Sequence, residues 1–189
     1  MQWRNSEERY GAVAQFLHWG MFAVIALQLI GGELMDELPK PSAIRGLAYD
    51  AHETLGLVLL GLVFLRIAWK IANPAPADGG AAWQKLAARM AHGLMYALLV
   101  AIPVVGYVTV VAKGHHAAFF AWDVPSLFAK DAPLGKLAED AHGWLANLLI
   151  AIVAAHAGAA LWHHLIARDG VLRRMLPVGR AGAGIGLRH

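Results

Sequence analysis

Four long apolar stretches, parted by short polar ones, dominate the chain: roughly residues 13–32, 53–72, 91–112 and 141–167. Each is long enough to cross about 30 Å of hydrocarbon as an α-helix. Buried core helices of a soluble domain are the competing reading, but so little polar sequence lies between the four runs that no soluble surface is left. The first run lacks a small-x-small cleavage site leading into a polar segment, so it reads as a retained helix and not a signal peptide. The pattern predicts an all-α, integral membrane four-helix bundle, with residues 1–179 as one domain. Residues 180–189, rich in Gly and Ala and without an apolar period, read as a flexible tail.

Composition sharpens this. Of 189 residues, 58% are apolar and only 15% charged, whereas soluble domains are about one quarter charged. The chain has no cysteine, which excludes disulfides, iron–sulfur clusters, thiolate nucleophiles and covalently attached haem. A net charge of +3 without a dense basic run gives no case for nucleic acid. Eleven of the sixteen Lys and Arg residues fall in the N-terminal arm, the end of the second run with the loop after it, and the C-terminal tail. By the excess of cations on cytoplasmic loops, both termini face the cytoplasm and loops 33–52 and 113–140 face outward. The expected location is a bacterial inner membrane, multi-pass.

The ten histidines are the unusual feature. An ionisable side chain inside a bilayer is costly and asks for a reason. His142 and His156 lie fourteen residues apart on the fourth helix, close to four turns, hence on nearly one side and about 21 Å apart along the axis. His52 heads the second helix at the depth of His142. His18 lies near the depth of His156. Two cross-bundle imidazole pairs, stacked along the membrane normal, follow from this spacing. Zinc would recruit three or four ligands, and no carboxylate lies at the right depth. Haem iron needs only two axial ligands, and its flat apolar ring suits a bundle interior. The reading is two b-type haems, with glycines beside the ligands (Gly20, Gly56, Gly93, Gly143, Gly158) admitting the macrocycle. His92 lies at about the inner depth; it is either a replacement ligand or a partner of a propionate or quinone. Arg66 is a propionate partner or a snorkelling residue.

Several motifs then carry a family resemblance: Phe16-Leu17-His18-Trp19; His52; His92 with Tyr96 and Ile102-Pro103-Val104-Val105-Gly106. Ala141-His142, Leu145-Ala146-Asn147-Leu148, His156, Trp162-His163-His164 and the run from Asp169 to Pro177 complete it. Over its whole length the chain resembles the bacterial cytochrome b561 family of four-helix, dihaem membrane cytochromes. It is most similar to short stand-alone members of the superoxide:ubiquinone oxidoreductase type. The resemblance implies His52 with His142 on the outer haem and His18 with His156 on the inner one.

Bis-imidazole iron has no open position, so the expected work is outer-sphere electron transfer. At the cytoplasmic end ubiquinone is the expected acceptor. His163, two turns beyond His156, either relays protons to it or anchors the interface beside Trp162; His164 is a weaker candidate. At the outer end Lys113, His115, His116, Lys130 and Lys136 would attract superoxide or another small anionic donor, diluted by Asp123, Asp131, Glu139 and Asp140. Phe119-Phe120-Ala121-Trp122 either lies on the membrane surface or caps the outer haem. Two other readings compete. One is a cytochrome b subunit linking a periplasmic dehydrogenase or hydrogenase to the quinone pool. The other is a metal-ion transporter, which predicts a colourless protein.

Overall fold

The computed structural model describes residues 2–77 and 80–177. Four helices are long and apolar enough to cross a membrane: α1 (Ala12–Glu37), α2 (Ala43–Ala72), α3 (Ala82–Ala112) and α4 (Ala132–Trp162), the last continued by a π-helical turn, His163–Ala167. A two-stranded hairpin, β1 (Ala117–Phe119) and β2 (Trp122–Val124), follows α3, and a short helix α5 (Val171–Met175) follows the π turn. The expected tail, 180–189, lies outside the described residues.

The helices outrun the apolar stretches that predict them. α2 begins ten residues before residue 53, and α4 nine before residue 141. Hydropathy marks where a helix meets hydrocarbon, whereas capping marks where it starts. Ser42 Oγ accepts the Arg45 N–H at the head of α2 (3.3 Å). Asp131 Oδ1 accepts the Leu134 N–H at the head of α4 (3.0 Å), with a proline in the first turn. Arg45 also closes α1: its guanidinium donates to the carbonyls of Met35, Asp36 and Leu38 at 2.8, 2.9 and 3.0 Å.

α1 packs along α2, α2 along α3, and α3 along α4. α4 lies along α3, and its backbone is not laid closely against α1 or α2. One apolar layer fills mid-bundle: Met21 and Ile25, Leu59 and Val63, Leu98 and Leu99, and Leu149. Leu149 stands seven residues from both His142 and His156, so this layer divides the bundle into two histidine levels.

Each end is closed differently. At one end the hairpin sits on the head of α2. The Ala118 N–H donates to Glu53 Oε2 (2.7 Å) and the Phe120 N–H to Thr54 Oγ1 (3.0 Å). The second bond anchors Phe120 in a left-handed conformation, φ 56°, that a bulky residue seldom adopts. At the other end α5 binds the start of α1. The Tyr10 N–H donates to the Arg174 carbonyl (3.2 Å), Trp19 Nε1 to that of Met175 (2.9 Å) and Arg9 to that of Leu176 (3.1 Å). We call these the hairpin end and the terminal end.

Candidate functional site: paired histidines across the cleft

Two imidazole pairs join α4 to the α1–α2 pair. At the hairpin level the ring centroids of His52 and His142 lie 6.1 Å apart; at the terminal level those of His18 and His156 lie 6.2 Å apart. Two imidazoles on opposite sides of one iron, each bound at about 2 Å, have centroids roughly 6 Å apart. Both pairs meet that spacing. His92 stands 5.2 Å from His156, closer than two rings on opposite sides of one iron would be. Among the described residues no three His, Cys, Asp or Glu side chains converge as they would around a bare metal ion. Each pair could offer two nitrogen ligands, which is what a porphyrin iron lacks.

The surroundings orient the rings. His142 Nδ1 lies 3.0 Å from the carbonyl of Ile102 on α3. A carbonyl can only accept, so His142 carries its proton on Nδ1 and keeps the Nε2 lone pair for a metal. Gly106 makes room for the ring: a Cβ there would stand 3.1 Å from His142 Cε1 and 3.2 Å from Nδ1. Pro103 interrupts the α3 hydrogen-bond ladder at the same level. Across the cleft, Gln28 Nε2 donates to the His52 carbonyl (3.0 Å), while His52 Nδ1 is buried with no hydrogen-bond partner. Nothing in the described protein competes with a metal for that ring.

At the terminal level the half-buried Arg66 is tied to its neighbours. Its Nη2 lies 3.3 Å from His18 Nδ1, its Nε donates to Tyr96 Oη (3.1 Å) and its Nη1 to the Ala14 carbonyl (3.3 Å). Three helices thus position one cation. His163 opens the π turn, its Nδ1 hydrogen-bonded to Asp169 Oδ2. Asp169 Oδ1 accepts the Val171 N–H (3.0 Å). Burial pushes the Asp169 carboxyl up, but the His163 and Val171 hydrogen bonds outweigh it and hold the carboxyl below its ordinary range.

Lys113, at the hairpin end, is ion-paired to Glu139, and Lys136 to Asp140 (2.7 Å). The expected cationic cluster is therefore largely neutralised by its own neighbours. Of the glycines expected beside the ligands, Gly20, Gly93, Gly143 and Gly158 would put a Cβ within 4 Å of nothing, and Gly56 faces Gln28. The glycines that face the paired rings are Gly106 and Gly32, where an added Cβ would stand 3.5 Å from His52 Cε1. Sequence reasoning gave no role to Gly32, the Ile102 carbonyl or Asp169. The Ile102-Pro103 pair followed by Gly106 at one helical turn was the available signal for the second of these.

Comparison with known proteins agrees with this architecture. A family profile described as prokaryotic cytochrome b561 matches residues 9–178. Cytochrome b561 homolog 2 of Escherichia coli K12 is 30% identical over 188 residues, 98% of this chain and 100% of that protein. Cytochrome b561 homolog 1 of the same organism is 30% identical over 89% of this chain and 97% of its own length. A probable superoxide oxidase CybB of Yersinia pestis is 24% identical over 92% and 98%. The chain belongs to the prokaryotic cytochrome b561 family, and is a multi-pass membrane b-type cytochrome of electron transfer.

Proposed function

We propose that the chain moves electrons across a bacterial inner membrane, oxidising superoxide at the outer face and reducing ubiquinone at the inner one. Two superoxide anions, one ubiquinone and two protons give two dioxygen molecules and one ubiquinol. The observation that carries this reading is the matched pair of cross-helix imidazoles, 6.1 and 6.2 Å between centroids, divided by one apolar layer. His52 and His142 would hold one haem b, and His18 and His156 the other. Each haem would supply a one-electron carrier there. The Lys and Arg distribution supports placing both termini, and with them the terminal end, in the cytoplasm. The relationship to the probable superoxide oxidase supports the choice of donor.

Quinone reduction needs protons, and His163 is the group assigned to deliver them at the inner interface. Asp169 holds its Nδ1, which leaves Nε2 to face a quinone oxygen, and the depressed carboxyl keeps this contact at neutral pH. The contact is lost only on acidification through that lowered pKa, where the carboxylate takes up its proton. His163→Ala is expected to slow quinol formation about a hundredfold and Asp169→Asn about tenfold. Reduction of the cytochrome by superoxide should be unchanged in both. Stopped-flow spectroscopy of the purified chain tests the whole reading: superoxide should reduce the b-type bands and added ubiquinone should reoxidise them. Bands that superoxide leaves oxidised would overturn the donor assignment.

A further inference from the structure

We propose that two copies of the chain pair in the membrane through the outward face of α4, about a contact between their Asn147 side chains. The pairing goes beyond the electron path above and does not rest on it. Of the 31 residues of α4 only Gly135, Ala138 and Leu149 are buried. Leu149 belongs to the mid-bundle layer, and Asn147 lies two residues from it, about 3 Å along the helix axis. The Asn147 carboxamide therefore stands at mid-bilayer depth. It is exposed there and, among the described residues, makes no hydrogen bond. Elsewhere in the bundle such groups are provided for: Gln28, Thr54 and Thr109 donate to the carbonyls of His52, Ala118 and Val105 at 3.0, 3.4 and 2.9 Å. Hydrocarbon offers Asn147 no partner, and an unpaired amide in it is costly. The missing partner has to come from outside the chain.

The surroundings of Asn147 fit a second copy. Asn147 lies about 140° round the helix from His142 and about 180° from His156, on the side turned away from the paired rings. Gly143, Ala151, Ala154 and Gly158 share that side and are all exposed, and a Cβ at Gly143 or Gly158 would meet nothing within 4 Å. Small residues let a second backbone come close enough for an amide contact. Gly143 and Asn147 also line, with Glu139, Asp140 and Trp144, a shallow groove of about 250 Å³. Trp144, 77% exposed, stands on the opposite flank of Asn147 from Gly143. A two-fold axis along the membrane normal brings the tryptophan of each copy against the glycine of the other. The same axis sets the two Asn147 side chains at one depth, where each amide donates to the other's carbonyl oxygen. At the hairpin end of this face Lys113 and Lys136 are paired to Glu139 and Asp140, so no net charge opposes the approach. An identical chain thus supplies both the missing hydrogen bond and a side chain for the groove.

The chain has no cysteine, so a single introduced one reports alone. Oxidative cross-linking of the full chain in its native membrane, read on non-reducing gels, tests the pairing. Ala151→Cys and Ala154→Cys, one and two turns beyond Asn147, should form a covalent dimer. Leu27→Cys, on the α1 surface where the native side chain is 59% exposed, should stay monomeric. Adding Asn147→Leu to Ala151→Cys should cut the dimer about tenfold, whereas Asn147→Gln, which keeps the amide, should retain it. Gly143→Leu, which fills the groove, should also cut it. Haem content should stay that of the parent in all of these, since the face lies away from the paired rings. Monomers from both α4 cysteine variants, or a Leu27→Cys dimer as abundant as theirs, would overturn the proposal. So would an undiminished dimer in Asn147→Leu.

Discussion

Replacement of His142 by alanine is expected to take one haem from the protein and leave the other bound. The substitution removes the ring that faces His52 at the iron-bridging distance. His156 is four turns away on the same helix, and the layer around Leu149, Leu59 and Leu98 closes the space between. The haem content of the purified variant should fall by half. The remaining spectrum should be that of the inner site, and superoxide-driven quinone reduction should be abolished, because one terminal of the path is gone. His156→Ala should give the complementary spectrum. Pyridine haemochrome assay and reduced-minus-oxidised spectra of both variants check this. Loss of both haems from either one would contradict two independently held sites.

The second large effect is expected at a residue that binds nothing. Gly106→Val would place a branched side chain where even a Cβ stands 3.1 Å from His142. Ile102 and Gly106 belong to one turn of α3, and α3 packs along α4, so neither backbone yields easily. The ring gives way instead, losing the Ile102 carbonyl that fixes its protonation and direction. Displacing such an outer-shell partner costs about 10- to 100-fold in metal affinity. The outer haem should wash out on dilution while the inner one stays. Gly106→Ala should fall between valine and the parent. Equal retention of both haems in Gly106→Val would show that the Ile102 contact does not position His142.

The bundle itself was legible in the sequence because hydrocarbon thickness imposes a length on every apolar run. The histidine levels were legible because fourteen residues is nearly a whole number of helical turns. Helix starts were not: Ser42 and Asp131 cap α2 and α4 well outside the apolar runs, where hydropathy carries no signal. The hairpin was missed for a related reason. Its strands are three residues long, and its turn rests on Thr54 and Glu53 from a distant helix, not on a local Asn-Gly or Asp-Gly signal. Arg66 was legible only as a propionate partner or a snorkelling residue, because its partners Tyr96, Ala14 and His18 come from two other helices and needed the fold. Asp169 reaches His163 only because the π turn and the left-handed Arg168, φ 52°, bring the chain back on itself. A seven-residue stripe carried along α4 has no means of foreseeing that reversal.

The account depends most on each imidazole pair holding one iron porphyrin. A pyridine haemochrome determination against protein mass, on the parent chain purified in detergent, measures this directly. Two haem b per chain is the predicted result. One haem per chain, or a colourless protein, would contradict it.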